Sequence, residues 1–113
     1  MAAVANLSID QGATFTSDIT VKDVNGAVFD LTGYTAASKL AKGYSSTRTR
    51  TAITVTFAND RTTGVLTISL TANQTAALDP ERYVYDVEVT SAAGVVTRVL
   101  EGIITVRPEV TTA

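Results

Sequence analysis

The chain has 113 residues, a formal net charge of −2, and neither Cys nor His. That length suits one domain, spanning 1–113 with a single modest core at about 7–108 and short terminal arms. Missing Cys excludes disulfides and thiolate metal sites, and missing His removes the commonest general base and transition-metal ligand. We therefore expect no enzymatic activity, no metal and no cofactor. The negative charge argues against nucleic-acid binding, and no apolar run is long enough to span a membrane.

Alternating apolar and polar side chains predict short strands in the first half of the chain, because neighbours in a strand point to opposite faces. The predicted strands span residues 7–9, 13–22, 27–31 and 35–42. In the second of these, Phe15, Ile19 and Val21 lie on the apolar face. The pair Asn25-Gly26 favours a tight turn into the third strand.

The polar stretch 43–50 (GYSSTRTR) has no periodicity and predicts a loop. Its residues Tyr44, Arg48 and Arg50 are the candidate partner-binding residues, because Tyr and Arg are enriched in interface hot spots and loops often carry function. The alternative is an exposed loop whose charges are simply hydrated. The acidity of the whole chain favours a protein partner over DNA.

The second half predicts two hairpins joined by a helical turn. The predicted strands are 53–57, 66–70, 83–90 and 95–106. Thr71 and Gln74 have the spacing of a capping box, and Pro80 ends the helical turn that follows. With seven to eight strands and one short helical turn, the sequence predicts an all-β fold, an immunoglobulin-like antiparallel β-sandwich.

Three features of the last hairpin have structural interpretations. Tyr83, at the entry of its strand, resembles the tyrosine corner of immunoglobulin-like sandwiches. Asp86 and Glu88 could form an acid–base or calcium site, but we favour a solvated face that pairs with Arg98 on the neighbouring strand. Gly102 interrupts the last strand and predicts a bulge or a close backbone approach.

Several stretches, in this order, resemble small immunoglobulin-like modules in the virions of tailed bacteriophages. They are 9–15 (IDQGATF), 21–26 (VKDVNG), 29–35 (FDLTGYT), 76–80 (AALDP) and 83–87 (YVYDV). The nearest group is the N-terminal domain of upper-baseplate and tail-fibre-anchoring proteins. Members of that group usually continue into a long C-terminal fibre or trimerisation region. This chain ends just past its last predicted strand, so we expect an accessory subunit rather than a fibre tether.

The resemblance implies a non-enzymatic virion structural protein, assembled in the host cytoplasm as a homo-oligomer or in many symmetric copies. Its expected partners are other virion structural proteins, and its expected position is the tail, baseplate or neck. A head decoration protein is the alternative within this class. A carbohydrate-binding module is the alternative from another class, for which only Tyr34 and Tyr44 are free to stack on a sugar.

The terminal segments 1–6 and 109–113 are small and carry little charge. Segments of this kind are normally disordered in a lone domain. We expect neighbouring subunits to hold both, with Tyr44, Arg48 and Arg50 forming a second contact patch. Sheet edges offer a further route for docking, because their backbone groups are unpaired.

Overall fold

A computed structural model describes residues 3–23, 25–43 and 49–110. Within these residues the strands are β1 (Ala3–Val4), β2 (Leu7–Asp10), β3 (Phe15–Thr20), β4 (Thr35–Ala41), β5 (Arg50–Phe57), β6 (Val65–Leu70), β7 (Arg82–Thr90) and β8 (Val96–Arg107). A 3-10 helix spans Arg61–Thr63 and an α-helix, α1, spans Ala72–Ala76. The all-β prediction is confirmed.

Strand β5 belongs to both sheets of the fold. Its first half pairs with β4 and its second half with β6. One sheet therefore runs β8-β7-β4-β5, with β1 and β2 on the outer side of β8, and the other runs β5-β6-β3. This division of strands is that of an immunoglobulin-like sandwich.

The core lies between the inner faces of the two sheets. On β7, every second residue is buried in one hydrophobic cluster: Tyr83, Tyr85, Val87 and Val89. From β6 the same cluster takes Leu66, Ile68 and Leu70. The alternation of apolar and polar residues in the sequence therefore matches the alternation of buried and exposed side chains in these strands, as the pleat of a strand requires.

The first two strands correct the expectation of a purely antiparallel sandwich. Both run parallel to β8, with Ala3 beside Leu100 in β1 and Leu7 beside Ile104 in β2. No turn joins either strand to β8, so the sequence carries no local signal for this pairing. The other strand pairs are antiparallel within the described residues.

The N-terminal edge is held by its own domain. The Ala5 N–H donates to Glu101 O at 2.9 Å, and the buried Tyr85 hydroxyl donates to Ala5 O at 2.7 Å. Ile103 N–H donates to the side chain of Asn6 at 3.1 Å. The expectation that neighbouring subunits hold segment 1–6 is therefore wrong for residues 3–6.

The C-terminal segment also contacts its own domain. Glu109 N–H donates to the side-chain oxygen of Gln11 at 3.2 Å, while the Gln11 amide donates to Leu78 O at 2.9 Å. One side chain thus ties together the first turn, the segment after α1 and the chain beyond β8. The expectation that a neighbouring subunit holds 109–113 is wrong for Glu109, whereas Val110 is 99% exposed and 111–113 lie outside the described residues.

The predicted return strand at 27–31 is wrong. Only an isolated bridge between Lys22 and Val28 forms there. Leu31 is completely buried, and its N–H donates to Arg61 O in the 3-10 helix at 2.9 Å. The first part of the segment bonds to the chain just after β3, where the Phe29 N–H donates to Val21 O at 2.9 Å, and its end bonds to the 3-10 helix, so no regular strand forms.

Two other local predictions are confirmed, and one is refined. Thr71 and Gln74 form the reciprocal hydrogen bonds of a capping box at the start of α1. Gly102 lies close beside the backbone of Ala5, which runs parallel to β8, so it marks a close approach. The bulge of β8 lies instead at Val99, the extra residue between the pairs Glu88–Arg98 and Val87–Leu100.

Replacing Gly102 with Ala should destabilise the protein by about 1–3 kcal/mol. A Cβ at this position would collide with Ala5 O and stand 2.8 Å from Ala5 C, and both are backbone atoms that cannot rotate away. The measurement is the free energy of unfolding in urea. In a chain lacking residues 1–6, the same substitution should cost much less, because the colliding atoms are gone. Equal losses in both chains would contradict this explanation.

The buried Tyr85 hydroxyl should make stability fall at alkaline pH. Burial raises the pKa of Tyr85 from 10.0 to about 12. Between these values the folded state holds a proton that the unfolded state has lost, so the stabilisation is complete below pH 10.0 and is lost as pH rises through about 12. We expect urea unfolding to show this decline, and the stability difference from Tyr85→Phe to shrink over the same range. A difference that stays constant with pH would refute the assignment.

Candidate interaction surface

The outer face of β4, β5 and β7 forms a shallow groove of about 290 Å³. Its lining residues come from three adjacent strands: Ala37, Ser38, Lys39, Arg50, Val84, Tyr85, Asp86 and Glu88. The small side chain of Ala37 leaves the space between the longer charged side chains. The inner face of the same strands packs into the core, so the groove has a rigid floor.

The register of the strands separates positive from negative charge across this groove. Lys39 on β4 lies directly beside Asp86 on β7, which lies beside Glu101 on β8. Glu88 on β7 lies one row away, beside Ala37 on β4. Among the residues that line the groove, the basic side chains therefore come from β4 and β5 and the acidic ones from β7. Outside the groove, Arg82 and Arg98 add positive charge to the β7–β8 side of the same face.

One ion pair moderates the acidic side. The Nε atom of Arg98 lies 3.4 Å from a carboxylate oxygen of Asp86, which confirms that this face pairs with Arg98. The two side chains are 46% and 32% exposed, so the pair contributes well under about 1 kcal/mol. Across the described ranges, no three acidic side chains come together in a cluster that could hold a metal ion.

Of the three predicted partner-binding residues, Arg50 is the one that lies within the described part of the chain. Arg50 is the first residue of β5, not part of a loop, and it lies beside Ala41 on β4 at one end of the groove. Tyr44 and Arg48 lie outside the described residues. The sequence analysis missed Lys39, because the two faces of 35–42 are equally polar in sequence. It considered Asp86 and Glu88 together but not beside Lys39, because the β4–β7 register is a long-range property.

The aromatic residue proposed for sugar stacking has another role. Tyr34 packs edge to face against Phe29, with 5.3 Å between ring centroids, and both rings lie against the core. The expectation that Tyr34 is free to stack on a ligand is therefore wrong. Tyr44, the other candidate, lies outside the described residues.

At the start of β7, Tyr83 forms the predicted tyrosine corner. Its hydroxyl donates to Asp79 O at 3.0 Å, four residues upstream, and burial raises the pKa of Tyr83. The Lys42 ammonium lies 2.8 Å from Asp79 and 3.2 Å from Glu81, and these carboxylates raise the pKa of Lys42. The corner thus fixes the turn that leads into β7.

Replacing Tyr83 with Phe should lower the free energy of unfolding by about 1–2 kcal/mol, because the Asp79 carbonyl loses its donor. Asp79→Asn is the matched control, since it keeps that backbone carbonyl and removes only the carboxylate facing Lys42. The control should cost less than about 0.5 kcal/mol, because the Asp79 side chain is 67% exposed. Urea denaturation measures both. A larger loss for the control would contradict the tyrosine corner.

The remaining findings concern membrane-spanning helices and similarity to known proteins. Among the described residues, no helix has the length and apolar character needed to cross a membrane. No family model and no curated protein matches the chain. Among solved structures, an internalin-like protein of Listeria monocytogenes matches with 18% identity and a TM-score of 0.49, over 94% of this chain and 28% of that protein. At this level of identity the similarity supports no statement about function.

Proposed function

We propose that the chain is a non-enzymatic structural subunit of a tailed-phage virion, in the tail, baseplate or neck. The structural observation that supports a docking role is the charged groove on the sheet. Arg50 lines one end of this groove, and Lys39, Asp86 and Glu88 line the rest. A backbone held in strands that pack into a core loses little entropy on binding, which suits a docking surface. The virion setting comes from the sequence resemblance to phage immunoglobulin-like modules.

Two of the resembling stretches contribute structure that such a module needs. The stretch 76–80 supplies the carbonyl of the tyrosine corner, and 29–35 supplies the corner that leads into β4. In that corner the Asp30 carboxylate accepts hydrogen bonds from the Thr32 N–H and hydroxyl at 2.9 and 2.6 Å. These bonds lower the pKa of Asp30 and hold the turn. The motifs behind the resemblance thus support a folded docking module, and the groove supplies its candidate contact.

Purified virions from a strain carrying the gene should contain the chain, detected by mass spectrometry. The combined substitution Arg48→Ala and Arg50→Ala should reduce the amount in particles at least about tenfold, because buried interface Arg residues are frequent hot spots. Lys22→Ala, an exposed cation at the other end of the sandwich, should leave incorporation unchanged.

Cryo-electron microscopy of the same particles would then locate the subunit. Density for it on the head would favour the alternative, a head decoration protein, over a tail subunit. Finding the chain only as a free cytoplasmic monomer would overturn the proposal. So would normal incorporation of the double-arginine variant at the level of the Lys22 control, since the groove would then play no part in docking.

A further inference from the structure

The pair Asn25-Gly26 is the one place in the sequence where Asn directly precedes Gly. The chain turns there, with Gly26 at a φ of 83°. Both residues are exposed, and a Cβ built on Gly26 would have no atom within 4 Å. Within the described residues, the side-chain amide of Asn25 makes no hydrogen bond. Nothing described therefore crowds the Asn25 side chain or the peptide bond that follows it.

Asp23 fixes this turn with both its carboxylate and its backbone. One carboxylate oxygen accepts hydrogen bonds from the Asn25 N–H at 2.8 Å and from the Ala27 N–H at 3.0 Å. The Asp23 carbonyl accepts from the Gly26 N–H at 3.0 Å, and the Asp23 N–H donates to Ala27 O at 2.8 Å. Asp side chains often hold a turn in this way. The Gly26 nitrogen is thus bonded itself and lies between two restrained neighbours.

An Asn followed by Gly can react with its own backbone. Asn is a thermolabile residue, and Gly has no side chain to hinder the approach. The Gly26 nitrogen gives its proton to solvent and attacks the Cγ atom of Asn25. The N–Cγ bond forms, the Cγ–Nδ2 bond breaks, and the leaving nitrogen takes a proton from solvent and departs as ammonia. Water then opens the five-membered succinimide at either carbonyl, which leaves an aspartyl or an isoaspartyl residue at position 25.

We infer that Asn25 is a site of spontaneous deamidation and that Asp23 restrains the reaction. In the closed turn the attacking nitrogen keeps its proton in a hydrogen bond to Asp23 O, so the reaction waits for the turn to open. Exposed turns open far more often than core strands do. The inference does not depend on the proposed virion role, and neither would be changed by failure of the other.

The other asparagines provide a contrast within the same chain. Asn6 precedes Leu7, and its side-chain oxygen accepts a hydrogen bond from the β8 backbone. Asn73 lies inside α1. Asn59 is exposed but precedes Asp60, whose side chain hinders attack by its nitrogen. Asn59 is therefore an internal control, because it has similar access to solvent without the following Gly.

The isoaspartyl product would alter the segment that follows β3. It brings Cβ into the main chain and lengthens the backbone by one atom, so the hydrogen bonds that close the turn no longer fit together. The neighbouring contacts are the bridge between Lys22 and Val28 and the bond from the Phe29 N–H to Val21 O, and Val21 is buried in the core. Either product also places a new negative charge beside Asp23. The modified chain should therefore be less stable than the original.

Peptide mapping by mass spectrometry tests the site. The purified full chain is incubated at mildly alkaline pH, where the Gly26 amide loses its proton more readily. Deamidation should accumulate at Asn25 and not at Asn59, and Asn25→Gln should abolish it, since a Gln side chain would have to form a larger ring. Modified chain separated by ion exchange should unfold at a lower urea concentration than unmodified chain.

Two variants test the restraint. Asp23→Ala should deamidate at least about fivefold faster than the wild type, the factor by which the open turn gains population when an exposed hydrogen bond is lost. Asp23→Ser is the matched control, because its hydroxyl oxygen can still accept from the turn, and it should react more slowly than Asp23→Ala. Circular dichroism should show that both variants are folded.

Two results would overturn the inference. A folded chain that keeps Asn25 intact, while the same chain unfolded in urea deamidates there, would remove the site from the native protein. Equal rates for the wild type and Asp23→Ala would show that Asp23 does not restrain the reaction.

Discussion

Burial of one face of β7 is the constraint on which the rest of the structure depends. This strand is paired on both sides, by β4 and by β8, so the position of its side chains fixes the register of the whole sheet. Each inward residue of the strand is 5% exposed or less. A one-residue slip would turn this apolar row outward and bring the charged row into the core, at a prohibitive cost. The same constraint therefore fixes which charges line the outer groove.

Much of the fold could be predicted because its signals are local. Alternation in β3 and β7, the capping box at Thr71 and the tyrosine corner at Tyr83 each depend on residues a few positions apart. The parallel pairing of β1 and β2 with β8 could not be predicted, because it joins segments nearly a whole chain apart with no connecting turn. The prediction for segment 27–31 failed for another reason, since the Leu31 side chain is buried in the core while its backbone bonds to the 3-10 helix and not to a strand.

Less of the candidate site was predictable. Arg50 was identified by residue type, but its place at the start of β5 depends on pairing with Ala41. Lys39 has no distinguishing pattern in the sequence, and its proximity to Asp86 and Glu88 follows only from the β4–β7 register. Surface sites on a sheet are assembled across strands, so composition shows which residues are available and long-range pairing decides which of them meet.

The parallel edge has a mechanical consequence. In β2 and β8 the chain runs in the same direction, so traction on the backbone before Ala3 and after Arg107 pulls the two strands in opposite directions along their length. The register pairs from Leu7 to Asp10, together with the bond from Ala5 to Glu101, would then be sheared at the same moment instead of being opened one by one. A domain stretched from its two ends through this edge would resist extension more strongly than one whose terminal strands form a hairpin.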